Sequence, residues 1–154
     1  MVLPKISTSQ KTIVITIDGP AGAGKSTVAK ALARRLGFSY LDTGAMYRAM
    51  TLKALRAKIN LEDVAALVAL ARKTSIALVS DVRQGLKVLL DGEDVAEEIR
   101  SLEVTNNTFY IARAPEIREI MVRWQREIGE QQNIVTEGRD VGTVVFPQAA
   151  RKFY

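Results

Sequence analysis

The sequence contains no cysteine and no histidine. The first absence excludes a disulfide, a thiolate metal site and a cysteine nucleophile. The second removes the commonest general base at neutral pH and the commonest transition-metal ligand. No apolar run reaches bilayer-spanning length, no long block of like charge occurs, and no aromatics interleave a basic run. The first residues, Met1 to Lys11, lack an apolar core or cleavage site and read as a frayed leader. Lys and Arg outnumber Asp and Glu by 22 to 17, a net charge of +5, but the positives are dispersed among acids. Small phosphorylated ligands account for that excess at least as well as a nucleic acid does. The reading is a soluble cytoplasmic protein with no nucleic-acid or membrane partner. Lys, Arg, Asp, Glu, hydroxyls and a hard cation remain for chemistry, an inventory that suits phosphoryl transfer assisted by Mg²⁺.

What is present centres on residues 12–27. Ile13 to Ile17 is a β-branched apolar run of the kind found in a parallel strand covered on both faces. Gly19-Pro20-Ala21-Gly22-Ala23-Gly24-Lys25-Ser26 then fits G-x-x-x-x-G-K-[ST], and Thr27 follows. The loop glycines let successive N–H groups turn inward toward phosphate oxygens. A helix beginning near Lys25 aims its positive end at the same anion. Lys25 supplies a mobile charge for β- and γ-phosphates, and Ser26 a hydroxyl for Mg²⁺, directly or through water. Val28, Leu32 and Leu36 give that helix an i, i+4, i+8 apolar line, and Gly37 is placed to end it.

At 154 residues the chain is one domain's worth, with the apolar content of an ordinary globular protein. Ser39 to Leu41 reads as a second strand. Asp42 or Thr43 caps a helix running to about Lys58, and the same polar groups form a second candidate anion site. Asn60 is expected to cap a helix over Leu61 to Lys73, with Asp63 in the reciprocal position. Leu61, Val64, Leu67, Val68 and Ala71 are its apolar face. Ile76–Ser80 and Leu86–Leu90 read as a small antiparallel insert, with turn signals at 81–85 and at Asp91-Gly92. Glu93 to Arg100 reads as a solvated surface segment. Two helices follow, about Ser101–Ala112 and Pro115–Ile128. Ile117, Ile120, Met121, Trp124 and Ile128 form the buried stripe of the second, with Gly129 expected to end it. Arg118 lies just off that stripe, in reach of a ligand or of water, and Glu119 and Arg123 form a surface pair.

Ile134 to Thr136 is another buried-type strand, with Glu137-Gly138-Arg139-Asp140 at its C-terminal end, where parallel sheets bind ligands. Val141 to Phe146 continues as an apolar segment. Lys152 to Tyr154 opens a further strand, and a strand at the chain end without a covering helix suggests a fragment. The expected architecture is α/β: a three-layer P-loop fold, a parallel sheet flanked by helices, with the antiparallel insert carried outside it.

Three blocks together carry a resemblance: Ile17 to Thr27, Leu41-Asp42-Thr43-Gly44-Ala45-Met46-Tyr47-Arg48, and Glu137 to Pro147. The first alone marks only a P-loop protein. With the second and third at this spacing, the chain resembles bacterial-type cytidylate (CMP/dCMP) kinases, a branch of the nucleoside monophosphate kinases, from Ile13 to Tyr154. The resemblance implies transfer of the γ-phosphoryl of ATP to CMP or dCMP with Mg²⁺, by a monomeric enzyme of pyrimidine metabolism. It implies that residues 19–27 cradle the ATP phosphates and that Lys25 and Arg139 are catalytic. Thr43, Tyr47, Arg48, Arg118, Arg139 and Asp140 would hold the acceptor nucleotide, and Ser26 and Glu137, the latter through water, would organise Mg²⁺. It divides the chain into a first core part (12–58), a monophosphate-binding region with the β insert (59–113) and a second core part (114–154). Lid arginines, the adenine loop and a last strand would lie past Tyr154, so this chain is expected to bind nucleotides and turn over poorly. Phe109 stands where some relatives carry a serine that contacts cytosine, which leaves the choice among CMP, dCMP and UMP open. A non-catalytic nucleotide-binding module and a P-loop kinase with a non-nucleotide acceptor are the alternatives. A GTPase switch is disfavoured by the lack of an N-K-x-D motif.

Overall fold

The computed structural model describes residues 11–81 and 85–154. The leader over 1–10 and the centre of the expected turn, 82–84, lie outside the described residues. Two sheets form. In the first, β2 (Ser39–Asp42), β6 (Ile134–Gly138), β1 (Val14–Asp18) and β7 (Arg151–Phe153) pair in that order, all parallel. In the second, β3 (Ile76–Asp81), β4 (Gly85–Leu90) and β5 (Glu93–Asp94) pair antiparallel. The expected strand at the end of the chain is therefore present as β7, on the β1 edge.

Alternation along the parallel strands sets the layers. Ile15, Ile17, Tyr40 and Val135 face one way and pack on Ala29 and Ala33 of α1 (Lys25–Leu36). Leu41 and Ile134 face the other way, into a cluster with Met46 and Met50 of α2 (Thr43–Arg56) and Ile117 and Met121 of α5 (Pro115–Gln131). Leu67 and Ala71 of α3 (Val64–Arg72) join that cluster. The opposite side of α2, through Ala45, Ala49 and Leu52, packs on Val88 and Leu90 of the insert and on Val104 of α4 (Leu102–Arg113).

Several elements differ from the pattern-based reading. The buried line of α1 is Ala29–Ala33, while Val28 and Leu36 are 56% and 45% exposed. Small side chains let α1 lie close on the sheet, and that preference outweighs the larger apolar residues one position away. Helix α3 begins at Val64 with Asp63 as its cap, accepting from the Ala66 N–H; Asn60 instead accepts from the Glu62 N–H in the preceding turn. The segment 93–100 keeps Glu93, Asp94, Glu97, Glu98 and Arg100 exposed, as expected of a surface segment, but it also forms β5 and one 3₁₀ turn, and Val95 and Ile99 are buried. Between the acids, these two residues anchor the segment in the insert's core. The apolar segment after Asp140 takes the form of a π-helical turn, Val141–Val145. Gly37 does end α1, in a left-handed conformation at φ 69°.

Gly129 does not end α5, which continues to Gln131. It is buried within the helix because Phe146 lies against it: a Cβ there would meet Phe146 Cε1 at 2.7 Å. A Gly129→Leu variant is expected to lose about 1–3 kcal/mol of stability by overpacking, measured by urea unfolding. Wild-type stability in that variant would mean that Phe146 yields freely.

Candidate functional site

The site is assembled by register. Asp18 of β1 stands opposite Gly138 of β6, and Asp42 of β2 stands opposite Glu137. Three chain segments therefore leave the sheet side by side at its C-terminal edge. The 19–24 loop leaves β1, helix α2 leaves β2, and the 139–145 segment leaves β6.

Residues 20–24 are exposed, and Gly24, left-handed at φ 81°, caps α1 without any side-chain hydrogen bond. The first N–H groups of a regular twelve-residue helix thus remain open to an anion. Lys25 curls back, its Nζ donating to the Pro20 carbonyl at 2.8 Å. A lysine held only by one exposed carbonyl can turn to a ligand.

Glu137 is the hub beneath the loop. It is 6% exposed, and its Oε1 accepts from Ser26 Oγ at 2.6 Å and from the Tyr40 hydroxyl at 2.8 Å. Its Oε2 is buried with no protein partner among the described residues. Its backbone carbonyl accepts from Thr43 Oγ1 at 2.8 Å. Asp18, also buried, accepts from the Val141 and Gly142 N–H groups at 2.7 Å each. Burial, reinforced by the Asp42 and Glu137 carboxylates, pushes the Tyr40 phenol far above its ordinary value.

On the α2 side, Asp42 caps the helix by accepting from the Ala45 N–H, and Arg48 lies 3.6 Å from the same carboxylate. Arg48 Nε is buried and has no hydrogen-bond partner among the described residues. Arg118 pairs with Asp140 at 2.5 Å, and that hydrogen bond raises the guanidinium above its usual value. Burial raises the Tyr47 phenol, while the Arg118 charge beside it pulls the other way. Arg139 is exposed and makes no ion pair or side-chain hydrogen bond with the other described residues. The structure thus brings Ser26 to Glu137, Thr43 to Glu137, and Arg118 to Asp140, and leaves Arg139 outside these contacts. Phe109 is 51% exposed on α4, its ring 4.0 Å from that of Tyr110, with the Arg113 guanidinium over both.

Asp18 and Tyr40 were not singled out by sequence reasoning. Asp18 is the last strand residue before the loop, and a carboxylate in an apolar strand was the available signal. Tyr40 sits in a strand whose alternation reads as core, so only its position across the sheet from Glu137 reveals it. Among the described residues no three His, Cys, Asp or Glu side chains gather to hold a metal. A divalent ion would rely on the Ser26 hydroxyl, water and ligand phosphates, with the orphaned Glu137 Oε2 as an acceptor for such a water.

Comparison with known proteins now decides the family. The family model described as cytidylate kinase matches residues 15–154. The chain belongs to the cytidylate kinase family. It is 56% identical over 143 residues to the cytidylate kinase of Caldanaerobacter subterraneus subsp. tengcongensis, covering 93% of this chain and 62% of that protein. It is 56% identical over 140 residues to the Desulforamulus reducens cytidylate kinase, covering 91% and 62%. With the Bacillus pumilus cytidylate kinase it shares 51% identity, covering 94% and 64%. The chain therefore spans less than two thirds of the length of these cytidylate kinases.

In this cytidylate kinase family chain the Tyr40 proton is part of the fold. A phenol whose value is raised by folding contributes stability that is intact below the unfolded value, about 10, and lost as pH rises above it. Unfolding midpoints measured across the alkaline range should fall above about pH 10. The fall should be shallower in Tyr40→Phe, and parallel curves for the two proteins would contradict the assignment.

Proposed function

We propose that this chain carries the donor and acceptor nucleotide sites of a kinase that moves the γ-phosphoryl of ATP to CMP or dCMP, releasing ADP and the nucleoside diphosphate. One observation carries the reading. An open glycine-rich helix start with Lys25 leaves β1, the helix carrying Arg48 leaves β2, and Asp140, which holds Arg118, follows β6, at three in-register strand ends. The family membership gives the nucleotides their names.

Residues 19–27 would cradle the donor phosphates through backbone N–H groups, with Lys25 on the transferred group. Mg²⁺, when bound, neutralises charge on the donor phosphates; Ser26 would hold it, with Glu137 acting through water. Arg48, Arg118 and Arg139 would grip the acceptor phosphate, which suits the fork geometry of guanidinium groups. Thr43 and Tyr47 would line the same site. Asp140, already bonded to Arg118, would orient that arginine or meet the sugar. In the reaction an acceptor phosphate oxygen attacks the γ-phosphorus as the bond to the β,γ-bridging oxygen breaks, and the electron pair leaves on ADP. The attacking oxygen is already anionic, so no general base is needed, and alignment and charge neutralisation supply the catalysis. The region 59–113, with its β insert, would close over the acceptor, between core parts 12–58 and 114–154. We read the protein as a cytoplasmic monomer acting on free nucleotides, which the dispersed surface charge supports.

Titration of the folded chain with CMP, dCMP, UMP and AMP, paired with an ADP-release assay in ATP and Mg²⁺, tests this. Saturable binding of CMP or dCMP should weaken about tenfold or more in Arg48→Ala and in Arg139→Ala, as expected for lost charged hydrogen bonds. ADP release should depend on the acceptor and fall sharply in Lys25→Ala. A folded chain that binds none of the four nucleotides would overturn the acceptor site.

A further inference from the structure

We propose that Tyr40 is a positioning residue for the phosphate site: it tethers Glu137 Oε1 from the β2 side and so reserves Oε2 for a metal-bound water. The inference rests on the reading of Glu137 given above and extends it to a residue outside every motif of the chain.

Both donors to Glu137 converge on one oxygen. Ser26 Oγ and the Tyr40 hydroxyl reach Oε1 at 2.6 and 2.8 Å, and Oε2 is buried with no partner among the described residues. A carboxylate that served only as a structural bridge would be stabilised by sharing its donors between both oxygens, since a buried acceptor left bare costs free energy. Saturating one oxygen and leaving the other empty is the arrangement of a group waiting for a donor.

The two tethers are not equivalent. Ser26 is exposed on the first turn of α1, and its hydroxyl oxygen is the atom required by a cation at the loop. Tyr40 is 6% exposed, its backbone fixed opposite Val135 in the β2–β6 ladder. Its ring packs in the cluster beneath α1, with Lys30 Nζ 5.6 Å from the ring centroid. It therefore holds the carboxylate whether or not Ser26 is engaged elsewhere. Supporting partners of this kind hold the groups around a metal in place, and losing one costs affinity for the metal.

The test separates metal-assisted from metal-free nucleotide binding. ATP affinity is measured for the wild-type chain, Tyr40→Phe, Glu137→Gln and the double variant, each in Mg²⁺ and in EDTA. Tyr40→Phe removes only the hydroxyl and keeps the packed ring. It should weaken ATP binding in Mg²⁺ by roughly tenfold, the scale of one lost hydrogen bond to a charged group, and leave binding in EDTA unchanged. In the Glu137→Gln background the same substitution should add little, because the pair acts as a unit. Equal weakening with and without metal, or none in either, would overturn the role of Tyr40 if Glu137→Gln still loses the metal-assisted part. If Glu137→Gln also keeps the full effect of Mg²⁺, the metal-organising reading of Glu137 falls together with this proposal.

Discussion

The arrangement depends on one buried carboxylate. Asp18 ends β1 and takes the N–H groups of Val141 and Gly142, each at 2.7 Å. Parallel pairing of β1 and β6 ends at Asp18 and Gly138, with one further bond from the Gly19 N–H to the Gly138 carbonyl. Beyond that point no ladder holds the two outgoing segments together. The Asp18 carboxylate does so instead, with two charge-assisted hydrogen bonds of roughly 1.5–3 kcal/mol each. Space permits this only because residue 142 is glycine: a Cβ there would stand 2.6 Å from Thr16 Oγ1 and 3.0 Å from Asp18 Oδ2. The 19–24 loop and the Arg139–Asp140 segment are thereby placed by the same group.

The rest of the fold serves that edge. The two faces of the parallel sheet are covered by different means, small alanines from α1 on one and bulky Met and Ile from α2 and α5 on the other. Helix α2 is shared between the sheet's core and the core of the insert. Ion pairs of Lys53 with Asp91, and of Arg56 with Glu93 and Glu98, join its C-terminal half to the insert. The helix that carries Thr43, Tyr47 and Arg48 at one end is thus coupled to the insert at the other. Movement of the insert would be felt at these three residues.

Local signals made much of this legible. The β-branched run of β1, the glycine-rich loop, Gly37, Pro115 and the paired runs of the insert each carry their meaning within a few residues. What escaped depended on contacts distant in sequence. The exposure of Val28 and Leu36 follows from the sheet's need for a close helix, which no periodicity in α1 reports. Gly129 reads as a helix stop until Phe146 is seen against it. One miss is local instead: Asp63, read as the reciprocal partner of an Asn60 cap, is itself the cap of α3. At the site, the Glu137 to Asp140 stretch was expected at a strand end and lies there. Its ties to Tyr40 and the bond from Asp18 to Val141 span 97 and 123 positions of sequence and have no local signature.

The Asp18 bridge holds the site edge together. Amide hydrogen exchange of Val141 and Gly142, followed by NMR in the native protein and in Asp18→Ala, tests it. If Asp18 holds the two strand-end segments together, both amides exchange as slowly as those within β6. In Asp18→Ala they become fast while the β6 amides stay protected. Fast exchange of Val141 and Gly142 in the native protein, or protection unchanged by the substitution, would contradict it.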